Sequence, residues 1–492
     1  MTCRQIKFII FYWKTEKGVG RLTKVRKIRD NDFTSGPILG KLILFALPIM
    51  ATGVLQTFYN ASDMIIVGNF ATSGANAMGA VGACTSLINL IINLFTGLAI
   101  GAGVLASHHV GAKRYDELKK VVDTSIIASF FSGTVLALIG FVFAGPLLSL
   151  MKTPESIIVE AVPYMRAYFI GVPGLMMYNF LSSILRSSGD SKRPLIFLAI
   201  SGLINVLLNI ALVMIFPHKG ALNVGIATAV AQYASAAFIF VYMCKADICC
   251  KINLKTLKGD KNTFFSIVRI GLPAGIQGML FSISNVLTQK TVNSYGDITV
   301  NGNTAAASIE SFIYIALNTF YQSTITFVGQ NVGAGKYQRI KKIVFQNMAL
   351  SVSVGAVLGT CAYIFGNSLL KIFAPGAENE LVRQAGMNRL MILGMSYFLC
   401  GLMEIGCGAV RGMGKAMTPM LVSLSGSCLL RIAWIFAVCP FFPGNISVLY
   451  LCYPISWIVT AAAHFICAVI IYKREYKSVL RAKSERILAQ NN

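Results

Sequence analysis

The run Ala46-Leu-Pro-Ile-Met-Ala-Thr-Gly-Val-Leu-Gln-Thr-Phe-Tyr-Asn-Ala-Ser-Asp-Met-Ile-Ile-Val-Gly68 is apolar over a length that crosses a membrane, and it carries one carboxylate, Asp63. A hydrocarbon core of roughly 30 Å takes about 20 apolar residues in helical form. A carboxylate at the centre of such a helix costs roughly 2.5–3.5 kcal/mol on insertion, so it calls for a function or a partner. Asp63 is read as an ion-binding group of a multispanning carrier.

The composition extends that reading to the whole chain. The hydrophobic fraction is 55%, charged residues make up 13%, and the mean hydropathy is +0.67. A soluble surface of 492 residues could not be covered by so few charges, whereas lipid accepts an apolar exterior. Twelve spans are expected at about 40–67, 79–104, 122–148, 160–184, 194–216, 221–244, 263–292, 305–328, 343–370, 386–409, 418–440 and 446–471. With these spans, 33 of the 43 Lys and Arg fall in the two tails and in alternate loops, and seven fall on the opposite side. That asymmetry predicts both termini in the cytoplasm. The net charge of +24 therefore reports orientation, and no nucleic-acid partner is implied.

Two pairs of loops repeat. Gly111 and Tyr115 in Ser107–Lys120 correspond to Gly333 and Tyr337 in Gly329–Lys342, at an offset of 222. Arg186, Gly189 and Pro194 correspond to Arg411, Gly414 and Pro419 at 225, as Pro48 does to Pro273. The chain thus reads as an all-α integral membrane protein of twelve transmembrane helices, in two parallel six-helix repeats around a central cavity. The expected divisions are a basic N-terminal tail (1–37), a first half (38–244), a cytoplasmic linker (245–261), a second half (262–472) and a basic C-terminal tail (473–492). The patch Phe8–Trp13 suits an interfacial anchor; the rival is an unstructured tail, or one that precedes the natural start. The twelve cysteines are scattered, without ligand spacing, and read as small buried hydrophobes.

The Pro48…Asp63…Gly68 span, the paired Val-Gly-Ala loops at 110–112 and 332–334 and the paired Arg-x-x-Gly…Pro loops resemble the multidrug and toxic-compound extrusion (MATE) family of secondary transporters over about residues 35–475. The resemblance implies a multidrug exporter that alternates between two faces and expels organic cations or drugs against an inward flow of Na⁺ or H⁺. It also implies a cation site at Asp63, Asn205 and Thr228. Asn209 stands where many relatives carry a second aspartate, which leaves Na⁺ and H⁺ both open.

The residues support such a site independently. Asn205 and Asn209 lie i,i+4 on one helix face and, with Asp63 and Asn60 nearby, offer oxygen ligands. A carboxyl held away from water can alternatively take up a proton. The rival reading pairs Asp63 with a base and the asparagines with each other. Across the repeat Asp63 aligns with Thr288 while Asn60 aligns with Asn285, so the carboxylate breaks the symmetry.

In the second half, Glu310, Glu404 and Arg431 lie within spans. Glu404 and Glu310 are candidates to attract a cationic substrate or to take a proton in exchange, and a structural Glu404–Arg431 pair is the rival. Tyr59 and Tyr178 join them as cavity candidates because aromatic faces attract organic cations. No cofactor beyond the coupling Na⁺ or H⁺, no metal cluster and no enzyme activity are expected. The partners expected are the bilayer and an amphipathic small molecule, with the chain working as a monomer in the plasma (inner) membrane. A flippase for lipid-linked precursors is the alternative function; it would need a strongly cationic cavity.

Overall fold

A computed structural model describes residues 32–72, 74–151 and 153–491. The Phe8–Trp13 patch lies outside these residues. The chain is all-helical, with no strand among the described residues. Twelve long helices follow in order: α1 (Ile38–Phe70), α2 (Gly74–Gly111), α3 (Tyr115–Leu150), α4 (Glu155–Ser187), α5 (Lys192–Ile215), α6 (Gly220–Lys245), α7 (Lys261–Asn293), α8 (Asp297–Gly333), α9 (Tyr337–Ile364), α10 (Glu380–Gly412), α11 (Met417–Phe441) and α12 (Ile446–Asn491). A two-turn helix, Gly366–Phe373, joins α9 to α10. Wider π turns interrupt α10 at Leu390–Gly394 and α11 at Leu424–Leu429.

Eleven of the twelve are apolar and long enough to cross a membrane on composition alone. The other is α8, which has the length, at 37 residues, but is rich in Thr, Ser, Asn and Gln. Its side chains from Phe320 to Asn331 are almost all buried against protein. A helix shielded from lipid by its neighbours can carry polar residues that satisfy one another. At the other end of the chain, α12 runs past the expected limit of its span at 471, so the start of the basic tail continues the helix.

The duplication is visible in the backbone. Gly189 and Gly414 both adopt a left-handed φ, of 90° and 82°, at matching positions 225 apart. Lys113 and Gly335, 222 apart, do the same at 56° and 67°. Lys113 accepts a conformation that glycine adopts at less cost.

The first helix of each repeat spans both halves. The start of α1 (Leu42, Phe45, Ile49) packs with Phe327, Ile405 and Tyr472 of the second half, while its end (Val67) joins Cys84, Phe169 and Val224 of the first. In mirror fashion, Ile267 of α7 packs with Ala99, Ala102 and Phe180, and Val292 packs with Leu393 and Tyr450. The halves meet along Gly97-x-x-x-Gly101 of α2 and Gly271-x-x-x-Gly275 of α7, where small residues let two backbones touch. They meet again where Gly111 lies on Gln330, Gly333 on His108 and Gly329 on Ser107. Polar bridges close the same end: Arg186 Nη1 donates to Gln322 Oε1 (2.6 Å), His108 Nε2 to the Gly412 carbonyl (2.8 Å) and Gln330 Nε2 to the Ser187 carbonyl (2.7 Å). This is the end that carries the basic loops.

A Cβ at Gly101 would lie closer than 3.0 Å to backbone atoms of Ile267 and Gly271. Gly101→Val is therefore expected to destabilise this closed arrangement by about 1–3 kcal/mol. The check is labelling of a Ser107→Cys reporter, on a background without native cysteines, by an impermeant maleimide. Labelling should rise severalfold over that of the same reporter with Gly101; unchanged labelling would mean that the α2–α7 contact does not hold the end shut.

Candidate functional site

In the first half, α1, α5 and α6 bring Asp63, Asn205, Asn209 and Thr228 together. Asn209 Nδ2 donates to Asp63 Oδ1 at 2.5 Å and lies 3.3 Å from Asn205 Oδ1. Thr228 donates its hydroxyl to Asp63 Oδ2 (3.4 Å) and accepts from Asn205 Nδ2 (3.3 Å). Asp63 is only 7% exposed, and Asn209 is fully buried with its Oδ1 unpartnered. No Lys or Arg bonds to Asp63 among the described residues; the charged form has only amides and a hydroxyl to stabilise it. Tyr164 and Tyr168 of α4 lie within its electrostatic reach. The arrangement offers a carboxylate, two amide oxygens and a hydroxyl oxygen to a hard cation, or one carboxyl to a proton.

Three expected members stand apart. Asn60 is exposed, and no hydrogen bond joins it to Asp63 among the described residues. Tyr59 presses its ring on Gly202 and directs its hydroxyl to the Leu198 and Ala199 carbonyls (3.4 and 3.3 Å). Tyr178 is buried and donates to the Pro194 carbonyl at 2.8 Å. Both tyrosines pack α5 against its neighbours.

In the second half the rival Glu404–Arg431 pair does not form. The ion pair there joins Glu310 of α8 to Arg389 of α10: Nε to Oε1 at 3.0 Å and Nη2 to Oε2 at 2.7 Å. Asn303 accepts from Arg389 Nη1 (2.6 Å), and the Tyr397 hydroxyl donates to Glu310 (3.3 Å). The expected span 386–409 puts Arg389 at its outer end; α10 begins at Glu380 instead, which carries Arg389 a turn or more into the helix, facing α8. Glu310 is thus a bound partner and not a free attractant. Arg431 donates to Ser456 (2.9 Å) and lies 4.3 Å from the Tyr453 ring.

Glu404, at 8% exposure, is the buried second-half carboxylate left without a hydrogen-bond or ion-pair partner among the described residues. The cation whose field reaches it is Arg411, seven residues on and so on the same helix face. Arg411, expected in a loop, is 3% exposed; it bonds to the Tyr321 hydroxyl and to Gln277 Oε1 (2.7 Å). This Gln277–Arg411–Tyr321 group was not foreseen. The spacing of Glu404 and Arg411 was a legible signal, obscured by assigning Arg411 to the loop. No group of three or more His, Cys, Asp or Glu side chains could hold a metal among the described residues.

With the geometry in place, comparison with known proteins decides the family. The MatE family model matches residues 48–211 and again 273–436, two copies displaced by the same 225 residues that relate the loops. The chain belongs to the MatE family. Its members are membrane transporters and not enzymes, and this chain is a multi-pass transporter of the multidrug-efflux type. It is 28% identical over 423 residues to a probable multidrug resistance protein, YoeA, of Bacillus subtilis, covering 85% of this chain and 90% of that one. It is 20% identical to the multidrug export protein MepA of Staphylococcus aureus, over 82% and 88% of the two chains. Among solved structures, an outward-facing multidrug resistance MATE transporter superposes with a TM-score of 0.83 at 17% identity, covering 90% of this chain and 98% of that one.

Proposed function

We propose that this MatE transporter exports amphipathic, cationic organic compounds in exchange for Na⁺ or H⁺ by alternating access. The observation that carries the reading is Asp63: a buried carboxylate bonded by Asn209 and Thr228, with no basic partner among the described residues. A cation bound there would favour one of the two states through its differential affinity for them. The unpartnered Asn209 Oδ1 would complete an oxygen shell in which Asn205 takes part.

The halves 38–244 and 262–472, joined by the 245–261 linker, would rock about the α2–α7 contact. The two tails and the basic loops would face the cytoplasm, since they hold 33 of 43 Lys and Arg. In that orientation the closed end described above is the cytoplasmic one, and the cavity would open outward across the plasma membrane. One chain contains both halves of the pathway, so a monomer suffices.

The test is efflux from proteoliposomes with a cationic dye panel, imposing a pH gradient and a Na⁺ gradient separately. Efflux driven by one gradient identifies the coupling ion; efflux indifferent to both refutes exchange. Glu404 is assigned to recognition of the substrate's positive charge. Glu404→Gln is expected to weaken transport of cationic dyes by about tenfold, the loss of one charge-assisted contact of roughly 1.5 kcal/mol, and to leave neutral compounds unaffected. Equal losses for both classes would move Glu404 to a structural role.

A further inference from the structure

The N-terminal turn of α1 and the first three turns of α9 enclose a cleft of about 290 Å³ at the basic-loop end, lined by Gly36, Pro37, Leu39, Arg339, Lys342 and Gln346. Arg339, Lys342 and Gln346 are spaced i, i+3, i+7 and share one face of α9. Arg339 gives one amino group to the Gly36 carbonyl (2.9 Å), and its Nε finds no partner. Gln346 Oε1 is likewise unpartnered. Lys342 is exposed and has no carboxylate within bonding distance among the described residues. The cleft thus holds two cations, an unmet donor and, about 10 Å farther along the helix, an unmet acceptor.

Its flanks are apolar and face lipid. Leu39, Ile43, Leu44 and Leu47 of α1 and Phe345 of α9 are exposed, the last at 64%. Positive charge at the head of an apolar groove suits an amphiphile with an anionic headgroup lying along the helices. The unmet donor calls for phosphate oxygen, and the unmet Gln346 oxygen calls for a hydroxyl. The chain's own tail is excluded as occupant by charge: residues 1–31 carry nine Lys and Arg against Glu16 and Asp30.

We propose that this cleft binds an anionic phospholipid whose headgroup carries a hydroxyl, in the leaflet on the basic-loop side. The headgroup phosphate sits between Arg339 and Lys342, and the acyl chains lie over Leu39, Ile43 and Phe345. Because α1 belongs to the first repeat and α9 to the second, the lipid bridges the two and fastens the closed end. The site stands apart from Asp63 and from Glu404, so lipid binding and gradient-driven efflux can fail independently.

The test measures binding of dioctanoyl phosphatidylglycerol to the purified full chain in uncharged detergent, by thermal shift and by native mass spectrometry. Dioctanoyl phosphatidylcholine and glycerol 1-phosphate serve as the two comparators. Phosphatidylglycerol is expected to raise the transition temperature in a saturable manner, with both comparators at least tenfold weaker. Lys342→Gln, an exposed side chain without internal bonds, should fold as the parent does and lose about tenfold in affinity. Arg339→Gln with Lys342→Gln should abolish the saturable shift. An unchanged affinity in Lys342→Gln, or phosphatidylcholine binding as tightly, would overturn the proposal. Glycerol 1-phosphate matching the lipid would also overturn it, by making this a site for free phosphate esters.

Discussion

Asp63→Asn is expected to bring gradient-driven efflux down to passive leak while the protein inserts, folds and binds dye. Coupling free energies between two ligands run at about 1–3 kcal/mol, so the ratio of driven to undriven transport should fall by on the order of 5- to 150-fold. The argument rests on the company Asp63 keeps. Its two oxygens accept from an amide and a hydroxyl, and no guanidinium or ammonium neutralises it. An amide in its place still meets those groups and fills the same volume, but it cannot attract a cation or carry a proton. Removing a buried charge also lowers the cost of insertion, by up to roughly 2.5–3.5 kcal/mol. The variant should therefore be no less stable than the parent. A variant that still accumulates substrate against the gradient would clear Asp63 of coupling. A variant that loses both transport and several degrees of transition temperature would give Asp63 a structural role.

The sequence carried the repeat and the first-half cluster, and the reasons are physical. A span must be apolar over its length, and a turn that needs a left-handed residue keeps it in both copies, as at Gly189 and Gly414. Asn205 and Asn209 share a face by helical geometry alone, so part of the cluster follows from spacing. What failed lay in the second half, where depth and pairing between distant segments decide the contacts. Glu310 and Arg389 are 79 residues apart, and nothing local says that α10 begins early enough to carry the arginine inward. Arg411 has loop-like neighbours, yet the helix continues to Gly412 and its guanidinium turns back into the protein. The Gly97-x-x-x-Gly101 and Gly271-x-x-x-Gly275 motifs were present to be read. Each motif marks a close approach without naming its partner, so the crossing of α7 over α2 required the structure.

Arg389→Met is expected to be the most destabilising single change in the second half. Breaking one side of a buried ion pair leaves an uncompensated charge, at a cost of about 3–5 kcal/mol. Here the abandoned group is Glu310, almost fully buried, with only the Tyr397 hydroxyl to hold it. The loss extends further, since Arg389 also binds Asn303 and lies over the rings of Tyr450 and Tyr453. These contacts tie α8, α10 and α12 together. At roughly 2–4 °C per kcal/mol for a half of this size, the apparent transition temperature should fall by about 6–20 °C. Glu310→Gln alone should cost less, because an amide can still accept from Arg389. Glu310→Leu with Arg389→Met should recover most of the stability, since an apolar pair of similar volume is often neutral or better than the ions it replaces. The decisive quantity is the interaction term of this cycle, read from thermal unfolding in detergent alongside efflux in liposomes. A large term with efflux retained in the double variant makes the pair a structural clamp. A small term with efflux lost in Glu310→Gln would give Glu310 a part in transport that its bonds to Arg389 do not suggest.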